Sequence, residues 1–292
     1  MMSTGSVTGA VRPGTAVRRA IDEATATLAG AGVTSPRGDA EELAAYVLGT
    51  TRGRLALIDA LAGDFAERYG ELIAARANRL PLQHLIGTAA FGAVTLAVGP
   101  GVFIPRPETE VLLDWAVRRQ LDTHPVIVDL CTGSGALAVA LARHRPAARV
   151  IAVDNSAEAL QYARRNTAGT SIDVRCGDVN DPTLFADLDG NVDLIVANPP
   201  YLPAGAGLEP EVAEHDPPAA LFGGPDGMAV IEPIVALATR WLKPGGLLAV
   251  EHDDTTSEAT KALLQVGFAE IAGHRDLVGR PRFVTARRKT AE

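Results

Sequence analysis

Two textures of apolar and polar positions divide the chain. Over about the first 80 residues, apolar side chains recur at helical spacing. Val17, Ile21, Ala24 and Leu28 form one stripe, stopped by Gly30-Ala31-Gly32. Ser35-Pro36 reads as an N-cap followed by proline in the first turn, opening a helix through Leu43, Ala44, Val47 and Leu48 that ends at Gly49. Asp64 is placed to cap a third helix carrying Phe65, Tyr69, Leu72, Ile73 and Arg76. No pair of catalytic-looking side chains falls in this stretch, which reads as a small all-α module over 16–87, preceded by a Ser-, Thr- and Gly-rich tail, 1–15, expected to be disordered.

From Thr88 the period shortens. Phe91–Val98 is rich in strand formers, Gly99-Pro100-Gly101 turns the chain, and Val102-Phe103-Ile104 is expected to return as a second strand. Pro105 and Pro107 then hold the backbone extended, so 88–107 reads as a β-hairpin linker before a third segment, 108–292. That segment alternates strand and helix. Strands are expected at Val126–Leu130, Val150–Val153, Ile172–Cys176, Val192–Ala197, Leu247–Glu251, Phe268–Ala272 and Phe283–Arg287. Helices fall at Glu108–Gln120, Ala136–Arg143, Glu158–Asn166 and Glu232–Leu242. Such alternation predicts an α/β fold, a mostly parallel sheet with helices on both faces. Ligands of such sheets bind beyond the carboxyl ends of the strands.

Composition narrows the function classes. The 292 residues carry 27 Lys+Arg against 35 Asp+Glu, a net charge of −8, which disfavours a phosphate backbone or an anionic membrane as partner. Asp129 interrupts the longest apolar stretch, so no run approaches the roughly 20 residues of a membrane helix. The two cysteines, Cys131 and Cys176, are too few for a disulfide framework or a thiolate metal site, and read as reduced thiols of a cytoplasmic protein. His84, His215 and His252 have no metal-ligand spacing, and no metal is expected.

The strand ends carry the chemistry. The first βα turn, Asp129-Leu130-Cys131-Thr132-Gly133-Ser134-Gly135, puts two glycines where backbone N–H groups meet a ligand at a helix N-terminus. Gly133-x-Gly135-x-x-Ala138 alone also fits a dinucleotide fingerprint. Asp154, ending the second strand, is placed to accept from ribose hydroxyls, and Asp178, in Gly177-Asp178-Val179, to accept from an adenine amino group. After the fourth strand comes Asn198-Pro199-Pro200-Tyr201. Its prolines stiffen the turn. The Asn198 side-chain oxygen and the Pro199 carbonyl can accept the two hydrogens of a planar nitrogen while Tyr201 stacks on its face.

These residues together resemble the class I S-adenosylmethionine-dependent methyltransferases that modify planar amide or amino nitrogens. Pro81–Gly87, Ile104-Pro105-Arg106-Pro107-Glu108-Thr109-Glu110, Leu248–His252 and Arg282-Phe283-Val284-Thr285, with the helical N-terminal module, are similar to the release-factor glutamine methyltransferases of the HemK/PrmC type. The resemblance spans roughly Ala16 to Arg288. It implies a Rossmann-like domain with a seven-stranded sheet. It implies S-adenosylmethionine at Asp129, Cys131, Thr132, Gly133, Ser134, Gly135, Asp154, Asn155, Asp178, Val179 and Asn198, and catalysis at Asn198, Pro199, Pro200 and Tyr201. Cys131 stands where many relatives carry glycine.

The implied reaction moves a methyl group to the side-chain nitrogen (N5) of the glutamine in a Gly-Gly-Gln loop, leaving S-adenosylhomocysteine. The implied partners are peptide chain release factors, docked on the helical module of a monomeric enzyme, with no direct nucleic-acid or membrane contact. An amide nitrogen is a poor nucleophile, so the task is orientation in line with the methyl–sulfur bond. Leu202–Met228, with Glu209, Glu211, Glu214 and Asp216 among prolines and glycines, reads as a long loop outside the core and facing the substrate. A glutamine methyltransferase for a ribosomal protein would use the same chemistry. An adenine-N6 methyltransferase shares the Asn-Pro-Pro-Tyr tetrad but needs a basic face that −8 does not favour. A nicotinamide dehydrogenase or dinucleotide-binding module leaves that tetrad unexplained.

Overall fold

A computed structural model describes residues 15–58, 61 and 63–290. The expected tail over 1–15 lies, apart from Thr15, outside them. The chain separates into two units, one ending at Ile86 and one beginning at Gly87.

The first unit is helical: α1 (Thr15–Gly30), α2 (Pro36–Val47), α3 (Phe65–Ala77) and a short α4 (Leu82–Ile86). The expected stripes close its core, where Val17, Ile21, Leu28, Leu43, Phe65 and Ile73 are buried together. Ser35 and Asp64 stand at the N-cap positions, but neither side chain makes a capping hydrogen bond. Polar order comes instead from a buried pair. Arg76 Nε donates to Asp39 Oδ2 at 2.7 Å, and the Tyr69 hydroxyl donates to the Ala40 carbonyl at 2.9 Å.

The second unit opens with a hairpin, β1 (Thr88–Phe91) and β2 (Val94–Ala97), paired antiparallel from Thr88↔Ala97 to Phe91↔Val94. The expected hairpin is thus corrected. Its turn is Gly92-Ala93, with Gly92 at φ +53°, and Val102–Ile104 form no strand. Burial explains the difference. Val102 and Ile104 pack with Ala89, Val98 and Ala159 in a small apolar cluster.

The rest is α5 (Thr109–Val117), β3 (Val126–Leu130), α6 (Ala136–His144), β4 (Arg149–Asp154), α7 (Ala157–Asn166), β5 (Asp173–Cys176), β6 (Val192–Ala197), α8 (Pro210–His215), α9 (Ile231–Trp241), β7 (Leu242–Glu251), α10 (Ser257–Leu264), β8 (Phe268–Arg275) and β9 (Pro281–Arg288). Among the described residues seven strands form one sheet in the order β5-β4-β3-β6-β7-β9-β8. β5, β4, β3, β6 and β7 run parallel, while β9 is antiparallel to both β7 and β8. This is the expected α/β architecture. Two apolar clusters cover opposite faces, one holding Val128, Ile195 and Trp241, the other Ile127, Leu194 and Leu137.

Strand order sets the site. The chain leaves β3 toward β4 on one side and returns through β6 on the other, so a crevice opens between β3 and β6. Register aligns their ends, with Leu130 beside both Val153 and Ala197, and Ala197 beside Val250. The residues that follow each strand therefore face one another.

Candidate active site

Each site element begins where a buried strand runs out of partners. Beyond β3 the backbone turns sharply, with Cys131 at φ +57°, Gly133 at +57° and Gly135 at +87°. A β-carbon disfavours this left-handed region, so Cys131 is held where glycine is easier. The bonds that hold it are local. Thr132 N donates to the Val153 carbonyl at 2.9 Å, and Gly133 N donates to Asp154 Oδ2 at 2.8 Å. Asn166 at the end of α7 ties the loop to the hairpin, its Nδ2 donating to both the Ser134 and Ala97 carbonyls and its Oδ1 accepting from Ala97 N.

Asp129 is buried inside β3. Its Oδ2 accepts from the Thr132 hydroxyl at 2.5 Å and from Ala138 N at 3.0 Å, while Oδ1 has no partner. Burial pushes its pKa up to about 7. Asp154 accepts at both oxygens, from Gly133 N and Ser156 N, and its pKa is raised by the same cause. It is not the cap of α7. Ser156 fills that position, its hydroxyl accepting from Ala159 N at 3.2 Å. Asp178 is exposed, with Oδ1 held by the Asn180 backbone N–H and side-chain amide, which keep its pKa low.

Beyond β6 the tetrad meets α5, β7 and β9. Asn198 Nδ2 donates to Thr109 Oγ1 at 3.0 Å. The Tyr201 hydroxyl donates to Glu251 Oε1 at 2.9 Å and accepts from Arg282 Nη1 at 3.3 Å. Glu251 is 1% exposed, and burial pushes its pKa up to about 7. Arg282 is held in turn by Asp276 Oδ2 at 3.2 Å. Two glycines allow the close approach: a β-carbon on Gly223 would stand 2.5 Å from the Pro200 carbonyl oxygen, and one on Gly227 2.3 Å from that of Tyr201.

These strand ends enclose one cavity of about 500 Å³, within the range of small-molecule sites. Asp129, Cys131, Thr132, Gly133, Ser134, Asp154, Asn155, Asp178, Val179, Asn198, Pro199, Pro200 and Tyr201 all line it. Gly135 is the exception. It packs near the α7 backbone, where a β-carbon would lie 3.6 Å from Ala163 Cα, and serves the turn rather than the cavity wall.

Leu202–Met228 differs from the long loop expected outside the core. It contains α8, bridges Leu202 to Phe222, and buries Leu221, Met228 and Asp216, the last paired with Arg106. Leu202, Val212, Pro217 and Leu221 also line the cavity, so part of the segment does cover the site. Sequence patterning gave no role to Thr109, Glu251, Arg282 or the two glycines. The visible signals are the family-similar segments that hold Thr109, Glu251 and Arg282, and an acidic Glu251 directly after the apolar run Leu247–Val250.

The donor set fits an adenosine-bearing sulfonium cofactor. The unpartnered, buried Oδ1 of Asp129 on the cavity wall suits an ammonium group, and a β-carbon on Gly133 would stand in open space. The glycine N–H groups expected to meet a ligand are instead engaged within the turn, Gly133 N by Asp154 Oδ2 and Gly135 N by the Thr132 carbonyl at 2.8 Å. Among the described residues no group of three or more His, Cys, Asp or Glu is placed to hold a metal ion. Nor is any helix among them long and apolar enough to cross a membrane.

Comparison with known proteins agrees with this geometry. The family model described as the PrmC N-terminal domain matches residues 19–87, and that of the methyltransferase small domain matches 93–215. A release factor glutamine methyltransferase of Mycolicibacterium smegmatis is 64% identical over 94% of this chain and 98% of its own length. Its counterpart in Mycobacterium tuberculosis is 59% identical, over 93% of this chain and 91% of its own. A 4-amino-L-phenylalanine/4-methylamino-L-phenylalanine methyltransferase of Streptomyces pristinaespiralis is 42% identical over 85% of this chain and 86% of that protein. With identities of 59–64% across nearly its whole length, the chain belongs to the release factor glutamine methyltransferases.

Proposed function

We propose that this enzyme transfers a methyl group from S-adenosylmethionine to the side-chain amide nitrogen (N5) of the glutamine in the Gly-Gly-Gln loop of peptide chain release factors. The observation that carries the reading is the Asn198 amide. Its Nδ2 is engaged by Thr109, so its Oδ1 is left to accept from a ligand at the cavity wall. The cofactor supplies an electrophilic methyl group on sulfur. Asp129 and Asp154 hold its ammonium and ribose, with Asn155, Asp178 and Val179 toward the base and Cys131–Gly133 along the cavity wall.

The acceptor nitrogen has a delocalised lone pair, so the chain's contribution is orientation and charge stabilisation. Asn198 Oδ1 and the Pro199 carbonyl accept its two hydrogens, which aims the lone pair and favours the positive charge that grows on nitrogen. Pro200 keeps that turn rigid, and Tyr201 covers the amide plane. The proton leaves after transfer, and no side chain need act as base.

The helical unit serves to dock the body of the release factor, and the protein acts as a monomer in the cytoplasm. Its two unpaired thiols are in keeping with that compartment. Relatives named for release factors at 59–64% identity favour them over a ribosomal protein as substrate. Methylation of purified release factors, followed by mass spectrometry of the Gly-Gly-Gln peptide, tests the proposal. One added methyl on that glutamine is expected.

A further inference from the structure

The turn between β8 and β9 holds two large apolar side chains in water. Leu277 is 88% exposed and Val278 is 75% exposed. Turns are ordinarily filled by Gly, Pro, Asn, Asp and Ser, each for a backbone reason. Asp276 and Gly279 meet that need here, with Gly279 N donating to the Asp276 carbonyl at 3.0 Å. Leu277 and Val278 add only exposed apolar surface. Tyr46, Leu57 and Val266 are exposed too, but each stands singly in the sequence, which is ordinary for a protein surface.

The turn is held rigidly from inside. The Asp276 side chain is 1% exposed, and its Oδ1 accepts from Val278 N at 3.1 Å and Arg280 N at 2.9 Å. Its Oδ2 accepts from Arg282 Nη2 at 3.2 Å, and Arg282 Nη1 donates to the Tyr201 hydroxyl at 3.3 Å. One carboxylate thus ties the apolar tip to the tetrad. Side chains presented on a fixed backbone cost little ordering when a partner covers them.

Strand register places the tip beside the cavity. Phe283 of β9 pairs with Glu251 at the end of β7, and Pro281 pairs with Arg275 at the end of β8. The turn therefore projects from the end of the sheet that carries the tetrad. Arg280 and Arg282, just after the tip, line the cavity itself. Val266 precedes β8 and lies at the other end of the sheet.

That position also says what covers the tip. A glutamine side chain is short, so a protein that inserts one into the cavity must lay its own surface on the rim. We propose that Leu277 and Val278 are a docking contact for the release factor, covered by an apolar patch beside its Gly-Gly-Gln loop. This contact is additional to the helical unit and rests on the release factor being the substrate.

The test uses two double variants of the full chain: Leu277→Ser with Val278→Ser, and Leu277→Met with Val278→Ile. Each is assayed on an intact release factor and on a short Gly-Gly-Gln peptide, and its affinity for S-adenosylmethionine is measured by titration. Serine removes the apolar area, so KM for the intact release factor is expected to rise roughly ten- to thirtyfold, the worth of two partly buried apolar side chains. The peptide is too short to reach the tip. Its KM and kcat, and the cofactor affinity, are expected to stay within about twofold of the parent. The Met and Ile variant keeps the area and is expected to stay within about threefold on both substrates.

An unchanged KM of the serine variant for the intact release factor overturns the proposal alone. So does an equal rise for the peptide, which would show that the tip acts through the cavity. A parent that sediments as a dimer, with the serine variant a monomer, would assign the tip to a second copy of this chain and also overturn it. If the parent fails to methylate the release factor at all, the substrate reading fails and this inference with it.

Discussion

The Tyr201 hydroxyl donates to Glu251 Oε1 at 2.9 Å, joining the turn after β6 to the end of β7 across 50 residues of sequence. The bond passes between adjacent parallel strands whose ends are in register, Ala197 beside Val250. It holds a tyrosine at the mouth of the cavity by its polar end and leaves the ring as the part available to a ligand. Burial and the Glu251 carboxylate both raise the Tyr201 pKa, so it remains a neutral donor throughout the physiological range.

Tyr201→Phe separates these two functions. The ring stays, and the buried Glu251 Oε1 loses the donor it has in Tyr201. A buried acceptor left without its partner costs about 1–3 kcal/mol. Urea denaturation at pH 8 is expected to show that loss, with KM for a Gly-Gly-Gln peptide close to the parent value. Unchanged stability would mean that the bond carries no net energy.

Replacing Asn198 by Ala removes the acceptor and leaves the Asp129 and Asp154 region untouched. Its kcat is expected to fall by roughly a hundredfold or more, as when one donor or acceptor to developing charge is lost. Isothermal titration with S-adenosylmethionine should give nearly the parent affinity. A comparable loss in both would place Asn198 on the cofactor side instead.

Much of the site could be read from the chain because it lies immediately after strands. Val126–Leu130, Val150–Val153 and Val192–Ala197 are apolar but for Asp129 and Asp193, so their ends are located by counting, and Gly133, Asp154 and Asn198 stand at those ends or in the turns after them. The support behind them could not be read that way. Thr109 lies 89 residues from Asn198 in sequence, and only strand order and register bring α5, β6 and β7 together.

The hairpin lies elsewhere than local turn signals place it, for a related reason. Gly92-Ala93 lies inside an unbroken strand-like run, whereas Gly99-Pro100-Gly101 carries every local turn signal. That second turn exists, but tertiary packing claims it. The Tyr162 hydroxyl of α7 donates to the Pro100 carbonyl at 3.3 Å, and a β-carbon on Gly99 would lie 2.5 Å from that hydroxyl.

Gly227 supports the tetrad from behind. Its φ of +80° and the 2.3 Å approach of a β-carbon to the Tyr201 carbonyl oxygen leave no room for alanine. Gly227→Ala is expected to lose about 2 kcal/mol or more of stability, since strain and overlap add. It should also lower kcat by displacing Tyr201. A fully active, equally stable variant would show that the turn can rearrange at no cost.

Acidity provides a further check through Asp129. Its folded pKa of about 7 lies above the ordinary value of 3.8 because the group is buried. Between about pH 4 and 7 the folded protein keeps a proton that the unfolded chain has released, so stability falls as pH rises through that window. Asp129→Asn lacks this dependence, whereas the Glu251 contribution is common to both proteins. The Tm of the variant minus that of the parent is therefore expected to grow from pH 4 to pH 7 and then level off. A constant difference would show that Asp129 ionises normally.

The most direct measurement is mass spectrometry of release factors incubated with the purified enzyme and S-adenosylmethionine. A single added methyl group is expected on the glutamine of the Gly-Gly-Gln peptide, absent with Asn198→Ala. Unmodified release factors, with the methyl group recovered on another protein or on nucleic acid under the same conditions, would contradict it.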